Sequence, residues 1–387
     1  MKKIIIIGAL PSSIINFRGE LIKTLTKAYH VIALAGGANN TEIAAIELLG
    51  VRYIDVPIKR TSMNPFSDLK TMQFYRSVFE QEQPDYVLSY TIKPIIWGGI
   101  ALRSLSSVRF TALITGLGYA FEGQGFKRVV LRWLVSRLYK LSLKRAKQVV
   151  FQNPDDLNYF VERGLTSRNK SYLVPGSGVP LAHFEHRALP TAELTFLMVA
   201  RLLKEKGVFE FVEAACQVKK NFPNVHFQLL GCLDPSPDGI NQTVVDDWVA
   251  QGCIEYLGET NDVRPYFTQS HVFVLPSFYR EGLPRTILEA MAMGRPILTT
   301  DNVGCREPIV DGKNGWLVPV KDSVALAERM IWFINNSEMI EPMGIASRKI
   351  AEERFDVHKV NAQMLKIMVL DKDINSINFG VDSSSHV

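Results

Sequence analysis

The feature that most restricts the fold is a repeated alternation. Short, largely apolar runs are followed by stretches of helical periodicity. In the first half the runs lie at residues 3–8, 30–35, 51–57, 86–90, 109–115 and 148–151, and in the second at 194–200, 225–230, 253–257, 271–275, 296–299 and 315–318. Continuous apolar runs indicate strands buried on both faces, and intervening helices indicate parallel neighbours, so the chain reads as α/β with doubly wound sheets. Between the two series, residues 175–190 carry Gly176, Gly178, Pro180 and Pro190 and break the alternation as a hinge would. A length of 387 residues suits two domains. We expect one Rossmann-like domain over 1–182, a second over 190–354, and a disordered tail rich in Asp, Asn and Ser over 371–387.

The run at 3–8 is too short for a secretory signal and continues into a strand-to-loop turn, Gly8-Ala9-Leu10-Pro11. No window offers about 20 uninterrupted apolar residues, so no segment is expected to span a bilayer. The expected location is the cytoplasm or its membrane face. A net charge of +5 suits anionic substrates or an anionic membrane surface and is too small to argue for nucleic acid. The four cysteines, Cys216, Cys232, Cys253 and Cys305, show no zinc spacing, and a reduced compartment is the simple expectation.

In parallel sheets ligands bind beyond the carboxyl ends of the strands. In the first domain this points to loops 9–18, 90–94 and 116–125. The first has no G-x-G-x-x-G, which disfavours a nicotinamide or flavin. It offers Ser12, Ser13, Asn16 and Arg18 at a helix entrance, where Arg18 either meets an anion or is a surface side chain. Lys93 in the second loop and Gly116 and Gly118 in the third complete the acceptor-side candidates, although the third also reads as a plain strand-end turn.

The second domain is richer. The strand at 271–275 leads into Glu281-Gly282-Leu283-Pro284-Arg285-Thr286, which opens a helix that Gly294 and Pro296 close. Pro284 suits the first helical position, and free N–H groups around Leu283 to Thr286 lie at the positive end of the helix dipole, a phosphate-binding arrangement. Glu281 stands in its mouth, and Glu289 lies one turn after Arg285 on the same face. After strand 194–200, Arg201 and Lys206-Gly207 supply two cations for a diphosphate. Gly231 and Leu257 close the next two strands, where backbone can meet a nucleobase edge. No D-x-D stands in a suitable loop, so the cations rather than a metal are expected to carry the diphosphate charge.

Two glutamates seven residues apart around E-G-L-P, preceded by R-x4-K-G, resemble glycosyltransferase family 4. The resemblance implies a GT-B architecture, two doubly wound Rossmann-like domains facing across a cleft. It places the donor in the second domain and the acceptor in the first, with a last helix at about 356–370 packing back on the first. It implies that Glu281 contacts the donor sugar, that Glu289 holds the ribose, and that Arg201 and Lys206 neutralise the leaving diphosphate of a UDP-sugar. Retention is implied, through same-face attack or a short-lived ion pair. Runs at 60–65, 115–118, 138–142 and 301–307 resemble a narrower group, bacterial N-acetylhexosaminyltransferases that extend a sugar on undecaprenyl diphosphate, with N-acetylgalactosamine as the best match. Unlike many family members, the segment 89–94 carries no His.

Residues 125–147 hold Lys127, Arg128, Arg132, Arg137, Lys140, Lys144, Arg145 and Lys147 without one acid. Val130, Leu134, Leu138 and Leu141 form one helical face, with Arg132, Lys140, Lys144 and Lys147 largely opposite. Such a helix reads as a membrane-surface element, with Arg128 and Arg132 toward an acceptor, or as a core-facing helix with a solvated basic back. The expected partners are a UDP-sugar, a polyprenyl-diphosphate-linked acceptor and the cytoplasmic leaflet of the inner membrane, with no nucleic acid and no cofactor. A nucleotide-sugar 2-epimerase and a non-catalytic membrane-associated scaffold remain the alternatives.

Overall fold

The computed structural model describes residues 1–58, 64–121, 125–236 and 238–370. The expected tail and the run 60–63 lie outside the described residues. The chain divides into two compact units, one built from Met1–Ser177 and the chain from His358 onward, the other from Gly178–Val357.

The first unit holds seven parallel strands: β1 (Lys3–Ile7), β2 (His30–Ala35), β3 (Arg52–Asp55), β4 (Tyr86–Tyr90), β5 (Arg109–Ile114), β6 (Gln148–Phe151) and β7 (Ser171–Leu173). Their order is β3-β2-β1-β4-β5-β6-β7. Helices α1 (Pro11–Leu25), α2 (Asn40–Glu47), α3 (Pro65–Glu82), α4 (Ile92–Ala101), α5 (Phe126–Leu143) and α6 (Pro154–Glu162) connect them. Period-two alternation splits β1 between two cores: Ile5 and Ile7 join one layer, Ile4 and Ile6 the other. The chain's last helix, running on from Val357, adds Met364, Leu365 and Met368 to the second of these layers. Strand β7 was not expected: three residues flanked by polar positions at a sheet edge carry too little apolar signal.

The second unit repeats the plan with β8 (Thr195–Val199), β9 (His226–Leu230), β10 (Glu255–Tyr256), β11 (Val272–Leu275), β12 (Ile297–Thr300) and β13 (Gly315–Val318), all parallel, in the order β10-β9-β8-β11-β12-β13. Its helices are α7 (Val208–Lys219), α8 (Gln242–Ala250), α9 (Arg264–Gln269), α10 (Arg285–Ala292), α11 (Ser323–Asn335) and α12 (Ile340–Ile350), and α13 (Val357–Met368) is the last helix already described. Both units are therefore the Rossmann-like α/β domains that the alternation and the family resemblance predict. In each, the strand order reverses beside the first strand, between β1 and β4 and between β8 and β11, where ligands of such sheets bind.

Two expectations need correction. Cys216 and Cys253 form a disulfide, leaving Cys232 and Cys305 free, so the four thiols are not uniformly reduced. A pair 37 residues apart has no sequence signature and depends on the fold bringing the two together. In α5 the buried residues are Val135, Tyr139, Ser142 and Leu143, one position on from the expected stripe. Ser142 lies on this face. Its Oγ donates to the Ile95 carbonyl at 2.6 Å, and a Cβ at Gly99 would stand 2.0 Å from that Oγ, so a small polar residue lets α4 and α5 approach closely. Val130 and Leu134 face solvent.

Candidate active site

The constellation in the second unit is assembled by the two loops at its sheet's reversal point. After β8 the chain passes Arg201 and makes a 3-10 turn, Lys204–Lys206, closed by Gly207 at φ +80°. A Cβ there would lie 2.1 Å from the Pro276 carbonyl oxygen. Only glycine lets the turn pack on the end of β11. The loop after β11 is bound to the same turn, since Phe278 and Tyr279 both donate backbone N–H to the Glu205 carbonyl at 2.9 Å.

This packing places Lys206 Nζ 2.5 Å from Glu281 Oε1, with both side chains 14% exposed. Ser277 Oγ also donates to Glu281 Oε1 at 3.2 Å, and the Lys206 ammonium lies 5.5 Å from the centre of the Tyr279 ring. From the other side Asn302 Nδ2 donates to the carbonyls of Ser277 and Tyr279. Gly304 (φ +86°) sits where a Cβ would come within 2.7 Å of the Glu281 carbonyl. Ser277, Asn302 and Tyr279 were not singled out from the sequence, because their roles depend on loops that only the fold brings together.

Helix α10 begins at Arg285, one position later than expected, with Pro284 as its N-cap rather than its first helical residue and without a side-chain capping bond from it. The first-turn N–H groups, including those of Arg285 and Thr286, have no partner within the helix. Gly282 and Leu283 lead into this end. Along the helix, Arg285 Nε donates to Glu289 Oε1 at 2.8 Å. Burial pushes the Glu289 carboxyl up to about 7, only partly opposed by Arg285.

Arg201 does not share the Lys206–Glu281 pair. Its Nη1 donates to Asp234 Oδ2 at 2.6 Å. Although burial works against it, hydrogen bonds from Ser236 and the Arg201 guanidinium hold the Asp234 carboxyl below the usual range. Asp234, just past β9, was missed; an acid after a Gly-Cys-Leu loop carries no signal until Arg201 is placed beside it. Gly231 (φ +154°) fits under Ala200, whose carbonyl a Cβ would approach to 1.8 Å. Its N–H donates to the Gly258 carbonyl and its own carbonyl accepts from Tyr256 Oη. The Leu257 N–H donates to Leu229. Gly231 therefore spends both backbone groups on shaping the loop.

In the first unit the reversal point holds a second cluster. Arg18 is buried, contrary to a surface side chain, and lies 5.0 Å over the Tyr90 ring. Tyr90 Oη shares a 2.9 Å hydrogen bond with Ser13 Oγ, and burial pushes its phenol up to about 12, against the effects of Ser13 and Arg18. Asn16 is exposed on α1. Lys93, on the first turn of α4, pairs with Asp68 at 2.8 Å. Gly116 and Gly118 take positive φ after β5. Arg128 and Arg132 project from α5, half-buried and apart from the Arg18–Tyr90 cluster in sequence and element.

The chain matches the family description "Glycosyl transferases group 1" over residues 193–336 and "Glycosyl transferase 4-like" over residues 12–153. It is 30% identical over 342 residues to N,N'-diacetylbacillosaminyl-diphospho-undecaprenol alpha-1,3-N-acetylgalactosaminyltransferase of Campylobacter jejuni, covering 85% of this chain and 88% of that one. A capsular polysaccharide biosynthesis glycosyltransferase of Staphylococcus aureus is 25% identical, covering 78% and 80%. The fold matches a glycosyltransferase from Rickettsia africae with a TM-score of 0.75 at 20% identity, covering 97% and 98%. It also matches Anabaena HepE in complex with UDP-glucose, with a TM-score of 0.72 at 17% identity, covering 95% and 100%. Likeness to the Campylobacter enzyme along most of both chains, together with matches in both units, makes this chain a member of the group 1 glycosyltransferases, the family its Glu281 and Glu289 motif resembles.

Proposed function

We propose that the protein is a metal-independent, retaining glycosyltransferase that moves an N-acetylhexosamine from its UDP ester to a saccharide on polyprenyl diphosphate, during bacterial glycan assembly at the cytoplasmic face of the inner membrane. N-acetylgalactosamine is the best reading of the donor. The observation that carries this is the Lys206–Glu281 pair in the loop that opens α10, a helix whose N-cap residue, Pro284, makes no side-chain capping bond.

In this reading the sugar C1–O bond breaks with its electron pair passing to the diphosphate. Lys206, Arg201 and the N–H groups from Leu283 to Thr286 meet the charge that develops there, the term on which catalysis of this kind depends most. Glu281 holds the transferring sugar, and Glu289 accepts hydrogen bonds from the ribose. The acceptor hydroxyl attacks C1 on the face the diphosphate leaves, and its proton passes to the departing phosphate oxygen. The Campylobacter relative's name specifies N-acetylgalactosamine and an undecaprenol diphosphate, which supports this donor and acceptor class. No helix among the described residues is long and apolar enough to cross a membrane. Exposed Phe126, Val130, Trp133 and Leu134 beside the cations of α5 support attachment at the surface instead.

The test offers purified protein UDP-N-acetylgalactosamine, UDP-N-acetylglucosamine, UDP-galactose and UDP-glucose, each with a short polyprenyl-diphosphate saccharide and each without. Transfer from UDP-N-acetylgalactosamine that requires the acceptor is expected. Sugar conversion without acceptor would make the protein an epimerase, and UDP binding with no product in any pairing would leave a non-catalytic scaffold.

A further inference from the structure

Between α5 and α6 lies a cavity of about 420 Å³ that the donor chemistry does not use. Arg132, Arg137, Lys140 and Arg163 line it, and none of the described lining residues is acidic. Among the described residues, no carboxylate comes within ion-pair distance of Arg137, Lys140 or Arg163. Lys140 reaches the end of α6, where a Cβ on Gly164 would stand 3.9 Å from its Nζ.

Two aromatic rings order the cations. The Arg163 guanidinium lies 4.7 Å from the Tyr159 ring centre and that of Arg137 lies 5.3 Å from the Trp133 ring centre. Stacking occupies a guanidinium's face and leaves its N–H edge for an acceptor in the ring plane. Like charges gathered in one cavity repel, and an anion entering it relieves that repulsion while gaining charge-assisted hydrogen bonds. The rim selects what carries the anion. Of the lining residues Trp133 is 58% exposed and Val129 57%, an apolar edge that water disfavours and acyl or prenyl chains accept.

We propose that the α5–α6 cavity is a binding site for the phosphate of a membrane lipid. The site draws on α6 as well as the basic helix, with Tyr159 and Arg163 facing the α5 cations across the groove. Two sources share this chemistry, an anionic phospholipid headgroup and the diphosphate of a polyprenyl lipid.

The experiment measures co-sedimentation of the full-length protein with three vesicles: phosphatidylcholine alone, phosphatidylcholine with phosphatidylglycerol, and phosphatidylcholine with undecaprenyl diphosphate. The variants are Arg137→Gln/Arg163→Gln, which removes two pocket cations at exposed positions, and Lys144→Gln/Lys147→Gln, which removes two exposed cations of the same segment outside the pocket. Wild type is expected to bind one or both phosphate-bearing vesicles and not phosphatidylcholine alone. The pocket variant is expected to bind them roughly thirtyfold less tightly, and the control variant only a few-fold less. Loss on phosphatidylglycerol assigns the headgroup, and binding confined to undecaprenyl diphosphate assigns the diphosphate. Equal losses in the two variants, unchanged binding in the pocket variant, or no preference of wild type for phosphate-bearing vesicles would overturn the proposal. UDP binding, measured in parallel, reports on the other unit, so a failed donor assignment is told apart from a failed lipid site.

Discussion

Lys206 and Glu281 stand 75 residues apart in sequence, yet their charged atoms are 2.5 Å apart and both side chains are largely withdrawn from water. The ammonium proposed to receive a diphosphate is already held by a carboxylate. If the site takes a nucleotide sugar as proposed, the diphosphate competes with Glu281 for Lys206 and frees Glu281 to turn toward the sugar. In that reading the pair is the site before the donor binds, which makes the two residues separable by experiment.

Glu281→Gln should leave UDP binding unchanged or strengthen it, because it removes the rival anion, while turnover falls. Losing a charged hydrogen bond to the sugar costs about 1.5–3 kcal/mol, or roughly ten- to a hundredfold in kcat. Steady-state kinetics with UDP titration by calorimetry checks this. A variant that binds UDP far more weakly than wild type would show that Glu281 holds the nucleotide and not the sugar.

Glu289 should make both stability and nucleotide affinity depend on pH. Burial raises its carboxyl from 4.5 to about 7, so between those values the folded protein keeps a proton that the unfolded chain releases. Stability of the free protein therefore falls as pH rises through this window and levels off above it, by up to the order of 3 kcal/mol. Nucleotide binding runs the other way, since ribose hydroxyls donate best to the ionised carboxylate, and affinity should rise as pH passes 7. Glu289→Gln should flatten both trends, and Glu289→Ala should weaken UDP binding roughly ten- to a hundredfold. Thermal melts and UDP titrations over a range from about pH 4 to about pH 8.5 read both, since that range spans the shift.

Most strands and both loops at β8 and β11 were legible, because buried parallel strands need unbroken apolar runs and a helix entered through E-G-L-P needs few other signals. What stayed hidden depended on neighbours far away in sequence. Ser142 is polar by type yet buried, since Gly99 lets α4 pack against it and Ile95 takes its hydroxyl, so the buried face of α5 runs through a residue that polarity assigns to the surface. Arg18 reads as a surface cation until the Tyr90 ring covers it. Asp234 acquires meaning only through Arg201, and Cys216 only through Cys253.

Turnover should survive excess chelator. In the proposed mechanism a diphosphate draws Lys206 and Arg201 from Glu281 and Asp234 and meets the start of α10, so that no ion is needed for its charge; among the described residues no cluster of His, Cys, Asp and Glu is arranged to hold one. Assays with and without EDTA, followed by Mg²⁺ or Mn²⁺, decide it. Complete loss that one metal restores would move the leaving-group charge from these cations to an ion.

The last prediction tests whether Lys206 is placed by packing rather than by chance of rotamer. Gly207 meets two constraints at once, a left-handed φ of +80° and a Cβ position 2.1 Å from the Pro276 carbonyl. Gly252 has the first alone, with φ +71° and nothing within 4 Å. Gly252→Ala should cost about 1–2 kcal/mol of stability from the backbone conformation and leave kcat unchanged. Gly207→Ala carries the same conformational cost and must also push the Lys204–Lys206 turn off the end of β11, taking Lys206 with it. Its stability should fall further, by about 1–3 kcal/mol beyond the control, with kcat reduced at least tenfold because a misplaced charge stabilises the leaving group poorly. Chemical denaturation and kinetics on the two variants make the comparison. Equal kcat in both would show that the turn's position on β11 does not govern the chemistry.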